Sequence, residues 1–200
     1  MTKTRLEAFS DGVIAILITI MVLELHAPHG SDWGALWGAV PSLLTYVLSF
    51  VFVAIYWNNH HHMLQATDRI NGATLWANLH LLFWLSLIPF VTSWMDDSRN
   101  AAVPTAAYGT VLLMCAIAYT ILLRTLLSAH PRNARLAEAV GSDFKGKVSL
   151  LFYVAGIPLA FVHPAIADAL YVMVALIWFV PDSRIESRLQ RESAPEREPG

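Results

Sequence analysis

Charge is scarce in this chain. Asp, Glu, Lys and Arg make up 14% of its 200 residues, against 56% hydrophobic residues that include seven Trp and nine Phe. A soluble domain of this length has too little interior to hide that much apolar bulk, so an ordinary soluble fold is excluded. The formal net charge of −2 leaves no basic footprint for nucleic acid. Cysteine is scarcer still. Cys115 stands alone inside an apolar run, which excludes an intramolecular disulfide and a thiolate metal cluster. No small-residue cleavage site follows the first apolar stretch cleanly, so that stretch is expected to be retained rather than removed as a signal peptide. No internal repeat is visible, and a chain built from two copies of one bundle is thereby excluded.

Long apolar runs are what remain. A bilayer core of about 30 Å takes roughly 20 helical residues. Six segments qualify, at about 6–26, 36–60, 70–95, 103–128, 146–163 and 164–182, and the last two are separated by a tight corner at His163-Pro164. The sequence therefore predicts an all-α integral membrane protein: one six-helix transmembrane domain over 1–182 and a cytoplasmic, disordered tail over 183–200. A short amphipathic helix is expected around 132–140. Of the 13 Lys and Arg residues, all but Arg99 fall on one side of these spans, which places both termini in the cytoplasm of a multi-pass cell-membrane protein. Trp33, Trp37, Trp94 and Trp178 lie at span ends, as in an interfacial aromatic belt.

The first span, Arg5–Leu25, reads "RLEAFSDGVIAILITIMVLEL". Ile16, Ile20 and Leu23 follow an i, i+4, i+7 spacing and share one stripe, with Thr19 beside it. Ser10 and Asp11 sit at the cytoplasmic end, where a cap and a favourable charge at the helix start would by themselves account for them. Ionisable groups at membrane depth are costly and need partners. Arg5 and Asp11 are six apart and do not pair along one helix face, so their partners are expected on other spans. "YWNNHHHML" offers Trp57, His60 and His61, and "LWANLHLLFWLSLIPF" offers Trp76, Asn78 and His80. Three adjacent histidines point about 100° apart on a helix, which disfavours a shared metal ion at His60–His62.

Arg5-x-x-x-Phe9-Ser10-Asp11, followed by Trp57-x-x-His60-His61, Trp76-x-Asn78 and Pro89-Phe90-x-Thr92, resembles prokaryotic members of the lysosomal/endosomal transmembrane potassium channel family. The resemblance is dense in the first half and rests on span count in the second. It implies a homotetramer in which the first helix of each subunit lines a central pore, with no Thr-Val-Gly-Tyr-Gly filter; this chain has none. It also implies a pore constriction at Ile16, Ile20 and Leu23, and a contribution of Thr19 to ion selectivity. Arg5, Phe9, Ser10 and Asp11 then form a helix-1 motif braced by Trp57, His60 and Asn78.

The implied activity is passive, leak-type potassium conduction through a hydrophobic constriction. Its partners are the lipid bilayer and potassium ions, with no cofactor beyond the permeant ion, no bound metal and no nucleic acid. A small cation transporter or proton-coupled exchanger is the alternative, although such proteins carry repeats and mid-membrane charges that are missing here. No paired carboxylates and no nucleophile–base set occur at membrane depth, so an enzyme is not expected.

Overall fold

The computed structural model describes residues 2–67, 70–99, 101–129 and 144–179. They form helices throughout: α1 (Lys3–Leu23), α2 (Trp33–Gly38), α3 (Val40–Gln65), α4 (Gly72–Leu85), α5 (Ile88–Asp97), α6 (Ala102–Ala129), α7 (Phe144–Leu159) and α8 (Pro164–Phe179). The amphipathic helix expected over 132–140 and the tail over 183–200 lie outside the described residues.

Local chemistry sets the helix starts. The Thr2 hydroxyl accepts from the Arg5 amide at the head of α1, and Asn71 Oδ1 accepts from the Thr74 amide at 2.9 Å at the head of α4. These side chains occupy backbone donors that a helix leaves open in its first turn. Proline opens α8 at Pro164 and lies in the first turn of α3 and α5, where its missing N–H costs nothing. Between α7 and α8 the chain reverses over 160–163, and the His163 amide still donates to the Leu159 carbonyl at 2.9 Å.

Among the described residues, four stretches are long and apolar enough to cross a bilayer: Lys3–Leu23, Val40–Gln65, Gly72–Asp97 and Ala102–Ser128. The helices α7 and α8 have 16 residues each, a rise of about 24 Å.

The third stretch is not the single helix expected over 70–95. It breaks at Ser86–Leu87, because Pro89 lacks an N–H and its ring crowds the carbonyl four residues back, at Leu85. The Leu87 amide turns to the Trp84 carbonyl at 3.2 Å, and the Ser86 hydroxyl takes the Phe83 carbonyl at 2.7 Å. The second span also differs from its expected 36–60: α3 runs on to Gln65, and α2 precedes it as a separate turn.

The helix α6 sits at the centre, against α4, α5, α7 and α8, while α1 packs on α3, α4 and α5. Where α6, α7 and α8 meet, Tyr171 lies between two glycines. A Cβ on Gly109 would overlap the Tyr171 hydroxyl, and one on Gly156 would stand 2.7 Å from Tyr171 Cε1. Small residues let membrane helices approach closely, and here they make room for a ring. Gly109→Ala is therefore expected to destabilise the bundle by about 1–3 kcal/mol through overpacking. Thermal unfolding of the detergent-solubilised protein checks this, with Gly109→Ala/Tyr171→Leu recovering part of the loss.

Candidate functional site on the first helix

The two faces of α1 differ sharply. Leu6, Ser10, Ile14, Leu17 and Met21, spaced by three or four residues, are buried against the rest of the chain. Opposite them, Ile16 is 57% exposed, Ile20 39% and Leu23 80%, and Phe9 and Thr19 are exposed as well. The stripe Ile16, Ile20 and Leu23 thus lies bare within a single chain. Thr19 donates its hydroxyl to the Ile16 carbonyl at 2.8 Å, so its oxygen is still able to accept.

Polar groups hold the buried face in place. Asn78 on α4 donates from Nδ2 to Ser10 Oγ at 2.9 Å, and Ser10 in turn donates to the Leu6 carbonyl at 2.9 Å. Asn78 Oδ1 lies 2.7 Å from His60 Nε2 on α3. An amide oxygen only accepts, so this arrangement puts a proton on His60 Nε2. Ser10, His60 and Asn78 are all buried, and the chain from His60 through Asn78 and Ser10 to Leu6 ties three helices together away from water.

A second link lies nearer the surface. The Trp57 indole N–H donates to Asp11 Oδ1 at 2.9 Å. Trp57 stacks on His61, with centroids 5.7 Å apart and planes 19° apart, and His61 meets Gln65 at 2.9 Å. Lys3 Nζ donates to the Gln65 carbonyl at 3.1 Å and lies 3.9 Å from Glu7 Oε1.

The structure thus brings Ser10, His60 and Asn78 into one cluster and Asp11 and Trp57 into a neighbouring pair. Arg5 joins neither: its side chain is exposed, with no hydrogen bond or ion pair to another described residue. The three consecutive histidines take different partners: His60 meets Asn78, His61 meets Trp57 and Gln65, and the exposed His62 lies edge-on to His61 with centroids 5.8 Å apart. His80 stays on its own helix and accepts from the Trp84 indole at 2.9 Å.

Sequence reasoning missed Lys3, Glu7 and Gln65. The signal was present, because Lys3, Glu7 and Asp11 repeat at i, i+4, i+8, as do Trp57, His61 and Gln65, and these are the two facing stripes of the α1–α3 seam. Glu24, just past the end of α1, accepts from the Ser93 hydroxyl on α5 at 3.1 Å. Among the described residues no cluster of His, Cys, Asp or Glu could hold a metal ion.

Comparison with known proteins follows the same residues. The family described as endosomal/lysosomal potassium channel TMEM175 matches residues 5–89, a segment that contains Arg5, the Ser10–Asp11 pair, Trp57, His60 and Asn78. A potassium channel of Chryseobacterium sp. (strain P1-3) is 55% identical over 190 residues, covering 95% of this chain and 99% of that one. A potassium channel of Streptomyces collinus is 33% identical over 187 residues, covering 87% and 90%. Among solved structures, the crystal structure of a lysosomal potassium-selective channel TMEM175 homolog from Chamaesiphon minutus superimposes with a TM-score of 0.73 at 24% identity, over 89% of this chain and 96% of that one. The chain belongs to the endosomal/lysosomal potassium channel TMEM175 family.

Proposed function

We propose that this chain is one subunit of a potassium channel in which four copies stand around a common axis with α1 innermost. The family is one of ion channels rather than enzymes, and the chain's several apolar helices make it a multi-pass membrane protein. In this reading α7 and α8 complete six crossings, and the bias of Lys and Arg to one side puts both termini in the cytoplasm. One helix cannot enclose a pore, so the bare face of α1 has to meet copies of itself.

The observation that carries the reading is the two-sidedness of α1. One face is locked to α3 and α4 by buried hydrogen bonds, and the other presents Ile16, Ile20 and Leu23 with nothing over them. Rings of such side chains offer no oxygen to replace an ion's water. Passage then requires partial dehydration or a transiently wetted constriction. Potassium gives up water more readily than sodium, so a bare hydrocarbon ring favours potassium without a carbonyl cage. Thr19, exposed beside Ile16 and Ile20 with an oxygen still able to accept, adds a polar contact on that path. Ser10, Asp11, Trp57, His60 and Asn78 set the tilt of α1, and Phe9 and Arg5 belong to its exposed cytoplasmic end.

Flux from proteoliposomes tests the proposal. The expected result is potassium efflux that generates a membrane potential and needs no counter-ion. Potassium that moves only against protons or sodium would make the protein an exchanger instead. The mass of the solubilised complex is expected to be four times that of the chain.

A further inference from the structure

The helix α2 has no buried residue. Trp33 is 78% exposed, Trp37 71% and Leu36 45%. At 100° per residue these three side chains share an arc of about 100°, and Gly34, Ala35 and Gly38 take up the rest of the circumference. The bulk therefore lies on one side. Trp57, Trp84 and Trp178 each donate the indole N–H to another side chain. Trp33 and Trp37 have no such partner among the described residues.

The helix also leads directly, through the single residue Ala39, into a membrane span. Ala39 has helical dihedrals, its amide donates to the Leu36 carbonyl at 3.0 Å, and its carbonyl accepts from the Leu43 amide at 3.0 Å. The chain thus turns from α2 directly into α3. Leu44 and Val47 in the first turns of α3 are exposed as well. The two tryptophans therefore stand next to bare apolar side chains of a helix that crosses the bilayer.

We infer that α2 is a lipid anchor, its tryptophans seated at the headgroup–acyl boundary of the leaflet that α1 reaches at Leu23. That boundary suits both halves of an indole, because the ring lies against hydrocarbon while the N–H meets headgroup oxygen or water. Neither bulk water nor the hydrocarbon interior offers both. The anchor fixes the end of α3 at a set depth, and through residues 24–32 it restrains the end of α1. This inference rests on membrane insertion and is independent of the ion that passes.

Site-directed spin labels test it in phosphatidylcholine vesicles. In a Cys115→Ser background, nitroxides are placed at Trp33→Cys, Trp37→Cys and Gly34→Cys. Collisions with oxygen and with a water-soluble nickel chelate are then compared. Labels at 33 and 37 are expected to be oxygen-accessible and several-fold less nickel-accessible than the label at 34. Equal nickel access at all three would make α2 an aqueous loop. Immobile labels at 33 and 37 shielded from both agents would put a second copy of the chain there, and either result overturns the anchor. A parallel measurement leaves Cys115 in place. Quenching of tryptophan fluorescence by lipids brominated near the headgroup should fall in Trp33→Leu/Trp37→Leu relative to the unmodified chain, and unchanged quenching counts against the inference.

Discussion

Ile16→Asn is expected to raise sodium flux more than potassium flux and to erode the preference between them. Ile16 is the nearest of the three bare aliphatic positions to the middle of α1, and in the proposed pore an asparagine there would present an amide oxygen to a passing ion. In the proposed four-fold ring, a gain of only about 0.5 kcal/mol per side chain would lower the crossing barrier by about 2 kcal/mol. Each 1.36 kcal/mol is about tenfold in rate, so sodium flux should rise roughly thirty-fold. Potassium gains less, because it already sheds water more cheaply. The measurement is paired potassium and sodium flux from proteoliposomes under matched gradients. Unchanged flux for both ions would take Ile16 out of the conducting path. A rise shared equally by both would separate its role in gating from any role in selection.

Asn78→Leu is expected to cause the largest loss of assembled protein among single changes in the bracing cluster. Asn78 serves two partners at once, donating to Ser10 and accepting from His60. Ser10 keeps its bond to the Leu6 carbonyl when Asn78 is gone, so the damage falls on His60. That ring is 1% exposed, and a buried donor left without an acceptor costs about 1–3 kcal/mol. Interhelical hydrogen bonds within membranes are worth about 0.6–2 kcal/mol each, so the loss of two bonds and the orphaned ring act in the same direction. The check is the fraction of protein recovered at the oligomer's elution volume, with its unfolding temperature. Asn78→Leu/His60→Leu should recover much of the loss, since removing both partners leaves nothing unpaired. If the double variant is worse than either single change, the cluster acts through packing rather than hydrogen bonding.

The cluster was legible through the family resemblance. The cost of ionisable groups at membrane depth pointed only to partners for Arg5 and Asp11 on other spans, with six candidates there, and the motif singled out Trp57, His60 and Asn78 among them. Arg5 shows where that reasoning stops. It sits at a helix end with solvent within reach, and its side chain meets no partner among the described residues. The α1–α3 seam was missed for the converse reason: Lys3, Glu7 and Gln65 look like ordinary surface residues until a facing helix gives their four-residue spacing a meaning. The break at Ser86–Leu87 was signalled by Pro89, but hydropathy runs unbroken through it and hides a lost backbone bond. The extension of α3 to Gln65 went unread because histidine-rich turns look polar, whereas His60 is paired and buried. The six-residue α2 lay below the length at which periodicity carries information.

The placement of Tyr171 bears on how the protein is made. A ribosome delivers α6 first, then α7, and α8 last. Until residue 171 emerges, Gly109 on α6 and Gly156 on α7 border a slot that no ring fills. The slot between α6 and α7 is thus filled only once α8 arrives, and a nascent chain halted before residue 171 would leave both glycines facing a gap where the ring belongs.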